Sequence, residues 1–371
     1  MKSAAKYFGD FVISDEFRTL SLSNPLDMHL HLREGAMLES ILPFSARDFL
    51  SNVVMPNLST PITTTKQALA YKEQILTLAK KNNLTAYEPL MTLYLTNALT
   101  KKELQEAKAQ GIKILKLYPK GATTNSQNGV SEVLDSHILE ILQDAQELDF
   151  ILSIHGESAG FCLEREFEFL EVFATLARTF PRLKIIIEHM SDSRSIPILE
   201  KYENLYATLS LHHILLSLDD VLGGGLYADL VCKPMLKRPQ DSDALLHLAL
   251  NAHKKVSFGS DSAPHLQSKK YAPNAPSGIF SAPCILPVLA SVFAYHKRLE
   301  NLQAFVSDNA VRNYDLSAFL QNILQKEAMD AKIVRLESSG YEIPKSVPCE
   351  NDSINILFGG QKSRYKVLKA N

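Results

Sequence analysis

Three segments of similar pattern decide the fold: IKILKLY at 112–118, FILSIH at 150–155 and KIIIEH at 184–189. Each is a short run of aliphatic residues, and amphipathic helical patterns at 132–148 and 164–179 separate them. Runs that are apolar on both faces are typical of parallel strands covered by helices. The region therefore predicts consecutive strand–helix units.

The same alternation continues on both sides of this region. Further strand-like runs lie at 26–30, 52–55, 85–94, 205–210 and 256–259. Further helical patterns lie at 66–81, 101–110, 193–201 and 241–253. Eight strands in strand–helix order predict an α/β protein with a TIM-type (β/α)8 barrel. A doubly wound open sheet is the main alternative, but neither GxGxxG nor a phosphate-binding loop follows any predicted strand.

The 371 residues fit one large barrel with additions at both ends. We expect a single domain over residues 1–371, with the barrel core at about 24–316 and a C-terminal extension at 317–371. Within that extension, 353–357 reads as a strand. It could close the barrel floor, extend a small side sheet or mediate a subunit contact.

Composition restricts the classes of function. The chain has 39 Lys and Arg against 41 Asp and Glu, a formal charge of −2, which argues against general nucleic-acid binding. No apolar stretch is long enough to span a bilayer, and the N-terminus does not resemble a secretory signal. The four cysteines form no CxxC pair. We expect a soluble, reduced, cytoplasmic protein without membrane or nucleic-acid partners.

The first predicted strand ends in HLHLR, residues 29–33. Residues two apart on a strand point to the same face, so His29 and His31 project together into the barrel mouth. Two imidazoles there can hold a divalent cation. The pattern alone is a weak signal, because buried histidines also occur in ordinary cores.

Four more polar residues end later strands: Lys116, His155, His189 and Asp261. Barrel active sites are built at the carboxyl ends of the strands. Any one of these residues alone could be an isolated buried polar group. Their joint placement favours a shared metal site.

Lys116 is the diagnostic residue, because it sits within an apolar strand. Burial disfavours the charged form of an amine, and a neutral amine can react with CO2 to form a carbamate. That anion could bridge two cations about 3.5–4 Å apart. Lys113, by contrast, is expected on the surface.

The motifs HLHLR, the strand lysine in KLYP, HGE, EH and GSDSAPH, in this order, resemble the metal-dependent amidohydrolase superfamily. More narrowly, MPNLSTPITT, KLYPKGATTNSQNGV, HGE and GSDSAPH resemble the dihydroorotase family of the monofunctional bacterial type, and the resemblance runs over about 26–316. The resemblance implies reversible cyclisation of N-carbamoyl-L-aspartate to L-dihydroorotate in pyrimidine biosynthesis. It also implies a small-molecule substrate and leaves homodimer formation open.

The resemblance further implies two divalent cations per chain, most often zinc, with CO2 needed for lysine carboxylation. The implied metal ligands are His29, His31, Lys116, His155, His189 and Asp261. Of these, N6-carboxylated Lys116 would bridge both cations, which would share a hydroxide nucleophile. Asp261 would be the catalytic residue that moves a proton between this nucleophile and the ring nitrogen.

Seven residues match substrate contacts of the family: Arg33, Asn57, Thr123, Thr124, Lys233, His265 and Ser277. Arg33 offers a planar fork suited to a carboxylate. Thr123 and Thr124 would lie on a mobile loop that excludes water. Lys233 stands where relatives often carry leucine, at a contact made by the main chain. Ser277 lies within YAPNAPSG, a stretch that replaces a Cys-rich one, and takes the place of another main-chain contact of the family.

Two other functions remain open at this point. A hydantoinase or allantoinase would share the metal ligands, but the predicted carboxylate contacts and the ATTNS loop favour dihydroorotate. A catalytically silent barrel that serves as a scaffold is the second alternative. Such barrels typically lack one or more metal ligands, whereas this sequence carries all six.

Overall fold

The structure is a computed structural model that describes residues 1–9 and 18–368. A first strand, Thr19–Ser23 (β1), lies outside the barrel. Eight parallel strands follow in an order that matches the chain. They are Leu26–Leu30 (β2), Ser51–Val54 (β3), Leu90–Tyr94 (β4), Ile114–Leu117 (β5), Ile151–Ile154 (β6), Lys184–Ile187 (β7), Leu205–Leu209 (β8) and Val256–Phe258 (β9).

The sheet closes on itself just beyond the ends of β2 and β9. The Asp261 amide donates to the His29 carbonyl at 2.9 Å, and the His31 amide donates to the Ser262 carbonyl at 3.1 Å. Ser260 adds a buried hydrogen bond from its hydroxyl to Asp27 at 2.6 Å. The predicted TIM-type barrel is therefore confirmed, and the open-sheet alternative is excluded.

Helices cover the barrel on its outside and close its lower end. The α-helices are Gly35–Asp48 (α1), Thr65–Lys81 (α2), Lys101–Ala109 (α3), Ser136–Glu147 (α4), Arg165–Glu168 (α5), Leu170–Thr179 (α6), Ile196–Lys201 (α7), Leu211–Leu215 (α8), Leu218–Leu222 (α9), Pro239–Leu250 (α10), Gln267–Lys270 (α11), Ile285–Tyr295 (α12), Asn309–Asn313 (α13) and Ser317–Lys326 (α14). Single 3-10 turns lie at Ala5–Tyr7, Ser193–Ser195, Ala228–Leu230, Ala282–Cys284 and Leu299–Asn301, and a π-helical turn lies at Ala304–Asp308.

Local capping explains where several predicted elements begin or end. Helix α2 starts after Thr64, whose hydroxyl accepts from the Gln67 amide in a capping box. The helix predicted at 132–148 begins only at Ser136, because Asp135 caps it. The strand predicted at 85–94 was too long. Residues 85 and 86 lie in a turn, 87–89 have no regular structure, and only β4 pairs with the neighbouring strands.

The C-terminal region builds small antiparallel sheets beside the barrel. Its strands are Ile333–Glu337 (β10), Tyr341–Glu342 (β11), Ser346–Cys349 (β12), Asp352–Asn355 (β13), Lys362–Ser363 (β14) and Lys366–Val367 (β15). Strand β10 pairs with β1 and β15, β11 pairs with β14, and β12 forms a hairpin with β13. The strand-like run at 353–357 thus lies in a side hairpin that contacts α1 and α11.

The barrel interior is apolar below the strand ends that carry polar residues. Ile114, Ile151 and Ile186 belong to one buried cluster, to which α14 contributes Leu320. Because these isoleucines precede the polar residues on the same strands, the site lies above an apolar floor. No helix in the described residues is both long and apolar enough to cross a bilayer.

Candidate active site

The six predicted metal ligands lie at the carboxyl ends of five barrel strands, and each is at most 8 % exposed. They come from β2 and the residues after it (His29, His31), from β5 (Lys116), and from positions just after β6 (His155), β7 (His189) and β9 (Asp261). Lys113 is exposed, as expected from the sequence. The fold therefore brings all six side chains together at one end of the barrel.

One group of donors consists of His29, His31 and Asp261. The Asp261 Oδ1 atom lies 3.2 Å from His31 Nε2 and 3.5 Å from His29 Nε2. Two tetrahedral ligands at usual zinc bond lengths are separated by about 3.4 Å. The spacing of these three donors therefore fits a divalent cation.

A second group consists of His155 and His189, which face each other across neighbouring strands. His155 Nδ1 lies 3.1 Å from His189 Nε2, again a distance that two ligands of one cation would have. The rings of His29 and His189 are 4.9 Å apart between centroids. The two groups of donors are therefore adjacent.

Lys116 is fully buried, and its amine has no hydrogen-bond partner among the described residues. Burial lowers the pKa of Lys116 to about 8, although Glu188 and Asp261 oppose this shift. The amine lies 5.1 Å from the centroid of the Tyr118 ring. A buried amine is rarely left without a partner. Carboxylation of the neutral amine would add oxygen atoms that could bind a cation, and it would explain why the amine has no partner.

Glu188 contacts His29 of the first donor group and was not predicted as a site residue. Its carboxylate lies 2.7 Å from His29 Nδ1 and accepts from the hydroxyls of Ser153 at 2.5 Å and Thr208 at 2.6 Å. Burial raises its pKa, but the charges of His29 and Lys116 and these hydrogen bonds bring it to about 2. Ionised Glu188 therefore accepts from Nδ1 of His29 and leaves Nε2 free for a cation.

Glu157 has the same role for the second group. Its carboxylate lies 2.7 Å from His155 Nε2, which leaves Nδ1 of His155 facing His189. Only their closeness in sequence to predicted ligands could have pointed to these two glutamates: Glu157 follows His155 by two residues, and Glu188 directly precedes His189. Strand alternation alone does not show that either carboxylate reaches a histidine.

A pocket beside the donors contains most of the predicted substrate contacts. Its lining residues are His31, Arg33, Asn57, Thr123, Thr124, Lys233, Asp261, Ala263, Ser277 and Gly278. His265, the remaining predicted contact, lies next to this lining, with Nε2 3.2 Å from an Arg33 guanidinium nitrogen. The structure thus places all seven predicted contacts around one pocket.

The loop that carries Thr123 and Thr124 packs across this pocket. Asn57 donates to the Thr124 carbonyl at 3.0 Å, and the Thr124 hydroxyl donates to the Ser277 carbonyl at 3.3 Å. Asn125, which was not predicted, donates to the Asn57 carbonyl at 3.1 Å. Three separate loops therefore contact one another above the donors, through hydrogen bonds that main-chain carbonyls accept.

Arg33 lies at the edge of the pocket on a stretch of backbone with a positive φ angle. Its φ angle of +57° is in the left-handed region, as are those of His189 and Asp261, at +40° and +45°. The guanidinium donates to the Pro264 carbonyl at 3.3 Å, and Arg33 forms no ion pair within residues 1–9 and 18–368. Its charge is therefore available to a carboxylate.

Comparisons with known proteins agree with this geometry. The Amidohydrolase family model matches residues 94–316. The dihydroorotase of Helicobacter hepaticus is 63% identical over 302 residues, 81% of this chain and 87% of that protein. The dihydroorotase of Helicobacter acinonychis is 51% identical and covers 94% of this chain and 98% of its own length.

Solved structures give the same result. The crystal structure of dihydroorotase from Campylobacter jejuni has a TM-score of 0.85 at 40% identity and covers 97% of this chain and 99% of its own. The Saccharomyces cerevisiae dihydroorotase, solved with 5-fluoroorotic acid, has a TM-score of 0.86 at 32% identity, covering 95% of this chain and 98% of its own. An L-hydantoinase from Arthrobacter aurescens, at 14% identity and TM-score 0.75, shares the fold alone.

Proposed function

Since the chain belongs to the dihydroorotase family of amidohydrolases, hydrolases that act on a cyclic amide, we propose that it interconverts N-carbamoyl-L-aspartate and L-dihydroorotate at a binuclear metal centre. The observation that carries this proposal is the juxtaposition of two groups of metal donors with a pocket that holds Arg33. The reaction would serve pyrimidine biosynthesis.

Two divalent cations, which we assign as zinc because imidazole and carboxylate donors bind it well, would supply Lewis acidity to the amide carbonyl and to water. His29, His31 and Asp261 would hold one cation, and His155 and His189 the other. Lys116 would bridge them after its neutral amine has reacted with CO2. Glu188 and Glu157 would fix the orientation of His29 and His155.

Asp261 is suited to proton transfer because its two oxygens face different surroundings. Oδ1 faces His29 and His31, whereas Oδ2 lies towards His212, at 3.9 Å from its Nε2. In ring opening, Asp261 would take a proton from the attacking water and deliver it to the departing ring nitrogen. In cyclisation it would take the proton from the ureido nitrogen instead.

The pocket would bind the substrate carboxylate and limit the access of water. Arg33 would contribute the charged fork, with Asn57 and His265 beside it. Thr123 and Thr124 would contact the substrate from the loop that covers the pocket. Lys233 and Ser277 would contribute main-chain atoms, consistent with the use of the Ser277 carbonyl by Thr124 and His265.

A substrate comparison tests the proposal. Purified protein loaded with zinc is offered L-dihydroorotate, hydantoin and allantoin at equal concentration. We expect turnover of dihydroorotate to exceed that of the other two, because Arg33 lines the pocket and would bind a ring carboxylate, which hydantoin and allantoin lack. Preference for hydantoin or allantoin would instead support a different cyclic amidohydrolase.

Metal analysis tests the silent-scaffold alternative. We expect two cations per chain after reconstitution, and fewer than one would support the scaffold. A cytoplasmic location and a homodimer stay predictions from the sequence.

A further inference from the structure

His212, on the short helix α8, is buried completely, yet neither ring nitrogen has a hydrogen-bond partner among the described residues. Buried polar side-chain atoms are nearly always paired, so an unpaired imidazole at a functional site calls for an explanation. The sequence predicted no role for this residue. Its position after β8 brings it to the same end of the barrel as the metal donors.

The nearest acidic group to His212 is Asp261. Its Nε2 atom lies 3.9 Å from Oδ2 of Asp261. The other oxygen, Oδ1, faces His29 and His31. His212 therefore approaches the carboxylate oxygen that is turned away from the metal donors.

A third cation site is the competing explanation, because His212, His213 and Cys232 place possible ligand atoms within 4.8 Å of one another. The contacts of His213 argue against it. Its Nδ1 is 2.8 Å from the Ser210 hydroxyl, and its Nε2 is 3.0 Å from the Pro234 carbonyl. A carbonyl only accepts, so Nε2 of His213 carries the hydrogen and has no lone pair for a cation. The Cys232 thiol donates to the same carbonyl at 3.2 Å.

We propose that His212 is a positioning residue for Asp261. An imidazole always carries at least one N–H, and Nε2 would donate it to Oδ2 once the gap shortens by about 1 Å, as catalytic hydrogen bonds do when substrate binds. This contact holds Oδ2 towards the reacting nitrogen while Oδ1 stays with His29 and His31. The inference rests on the proposed function, because it assigns a partner to the proton-transferring carboxylate.

The test compares His212→Ala and His212→Gln in the zinc-loaded enzyme, in both reaction directions. Glutamine places an N–H close to the position of Nε2, whereas alanine removes it. For His212→Ala we expect kcat to fall about 10- to 100-fold with KM within about 3-fold, since the contact acts on proton transfer rather than on substrate binding. Glutamine should restore most of the loss, and both variants should retain two cations per chain.

His253→Ala serves as the matched control, because His253 follows α10 and pairs with Glu200 away from the site. It should keep the wild-type kcat. Wild-type kcat in His212→Ala would overturn the proposal, as would a loss seen only in KM or metal content, or one that glutamine does not rescue. Absence of dihydroorotate turnover by the wild-type enzyme would instead contradict the proposed function, which separates the two failures.

Discussion

The candidate metal donors and the rim of the proposed substrate pocket are neighbours, but they are built in different ways. The donors lie on or directly after barrel strands, and buried carboxylates such as Glu188 and Glu157 orient them. The rim is made of loops that meet through main-chain carbonyls, such as that of Ser277. Strands with paired side chains fix positions firmly, whereas loop contacts of this kind can open and close.

This difference predicts that substitutions among the donors reduce metal binding and kcat, and that substitutions at the rim change KM. The largest effect is expected for Lys116→Ala. Removing the group proposed to bridge the two cations should lower kcat by ~10³-fold or more and reduce the metal content below two per chain. The measurements are steady-state kinetics and elemental analysis on the same preparation.

Chemical rescue sharpens the Lys116 prediction. The alanine variant leaves space for a short carboxylate such as acetate or propionate, which should restore part of the activity in a concentration-dependent way. Normal turnover by Lys116→Ala without any additive would exclude the bridging role.

The next largest effect is expected for Glu188→Gln. The amide cannot accept three hydrogen bonds as the carboxylate does, so His29 loses its fixed orientation and metal affinity or kcat falls ~10- to 100-fold. Metal titration followed by activity measures this. Glu166→Gln is the control: Glu166 is also buried but accepts from Ser191 and Ser195. Equal loss of metal in both variants would show that Glu188 has no special role.

A rim substitution should behave differently. Arg33→Met removes the charge-assisted contact that we propose for the substrate carboxylate, so KM should rise ~10- to 100-fold while kcat changes much less. Arg47→Met, at a site where the arginine pairs with Asp48, should leave KM unchanged. If KM stays at the wild-type value in Arg33→Met, Arg33 does not bind the carboxylate.

The smallest effect is expected for Ser277→Ala. The contacts seen at this residue use its carbonyl, which alanine keeps, so KM should change less than ~3-fold. A rise of more than tenfold in KM would show that the Ser277 hydroxyl itself contacts the substrate. The rim would then act through side chains, as the donor groups do, rather than through main-chain carbonyls.

The sequence predicted the barrel and the joint position of the donors because both follow from periodicity. The alternation in IKILKLY separates exposed Lys113 from buried Lys116, and the ends of parallel strands meet at one edge. The helices could be predicted less well from the sequence. Helix α1 contains Pro43, a residue that usually interrupts a helix. Helix α12 is buried almost throughout, so it lacks the amphipathic pattern of a surface helix.

The partners of the donors could not be predicted in the same way. Glu188 lies beside a predicted ligand, but its contact with His29 joins residues 159 positions apart. His212 reads as one of two adjacent histidines in an apolar stretch, and only the structure distinguishes it from His213, whose two nitrogens are bonded. Such contacts depend on side-chain direction across the barrel, which strand periodicity does not specify.

A crystal structure of the zinc-loaded, active protein, with anomalous data at the zinc edge, tests the central claim most directly. The account predicts two cations about 3.5–4 Å apart, with His29, His31 and Asp261 on one, His155 and His189 on the other, and carboxylate density on Lys116 between them. An unmodified Lys116 amine that contacts neither cation, in a protein that turns over dihydroorotate, would contradict it.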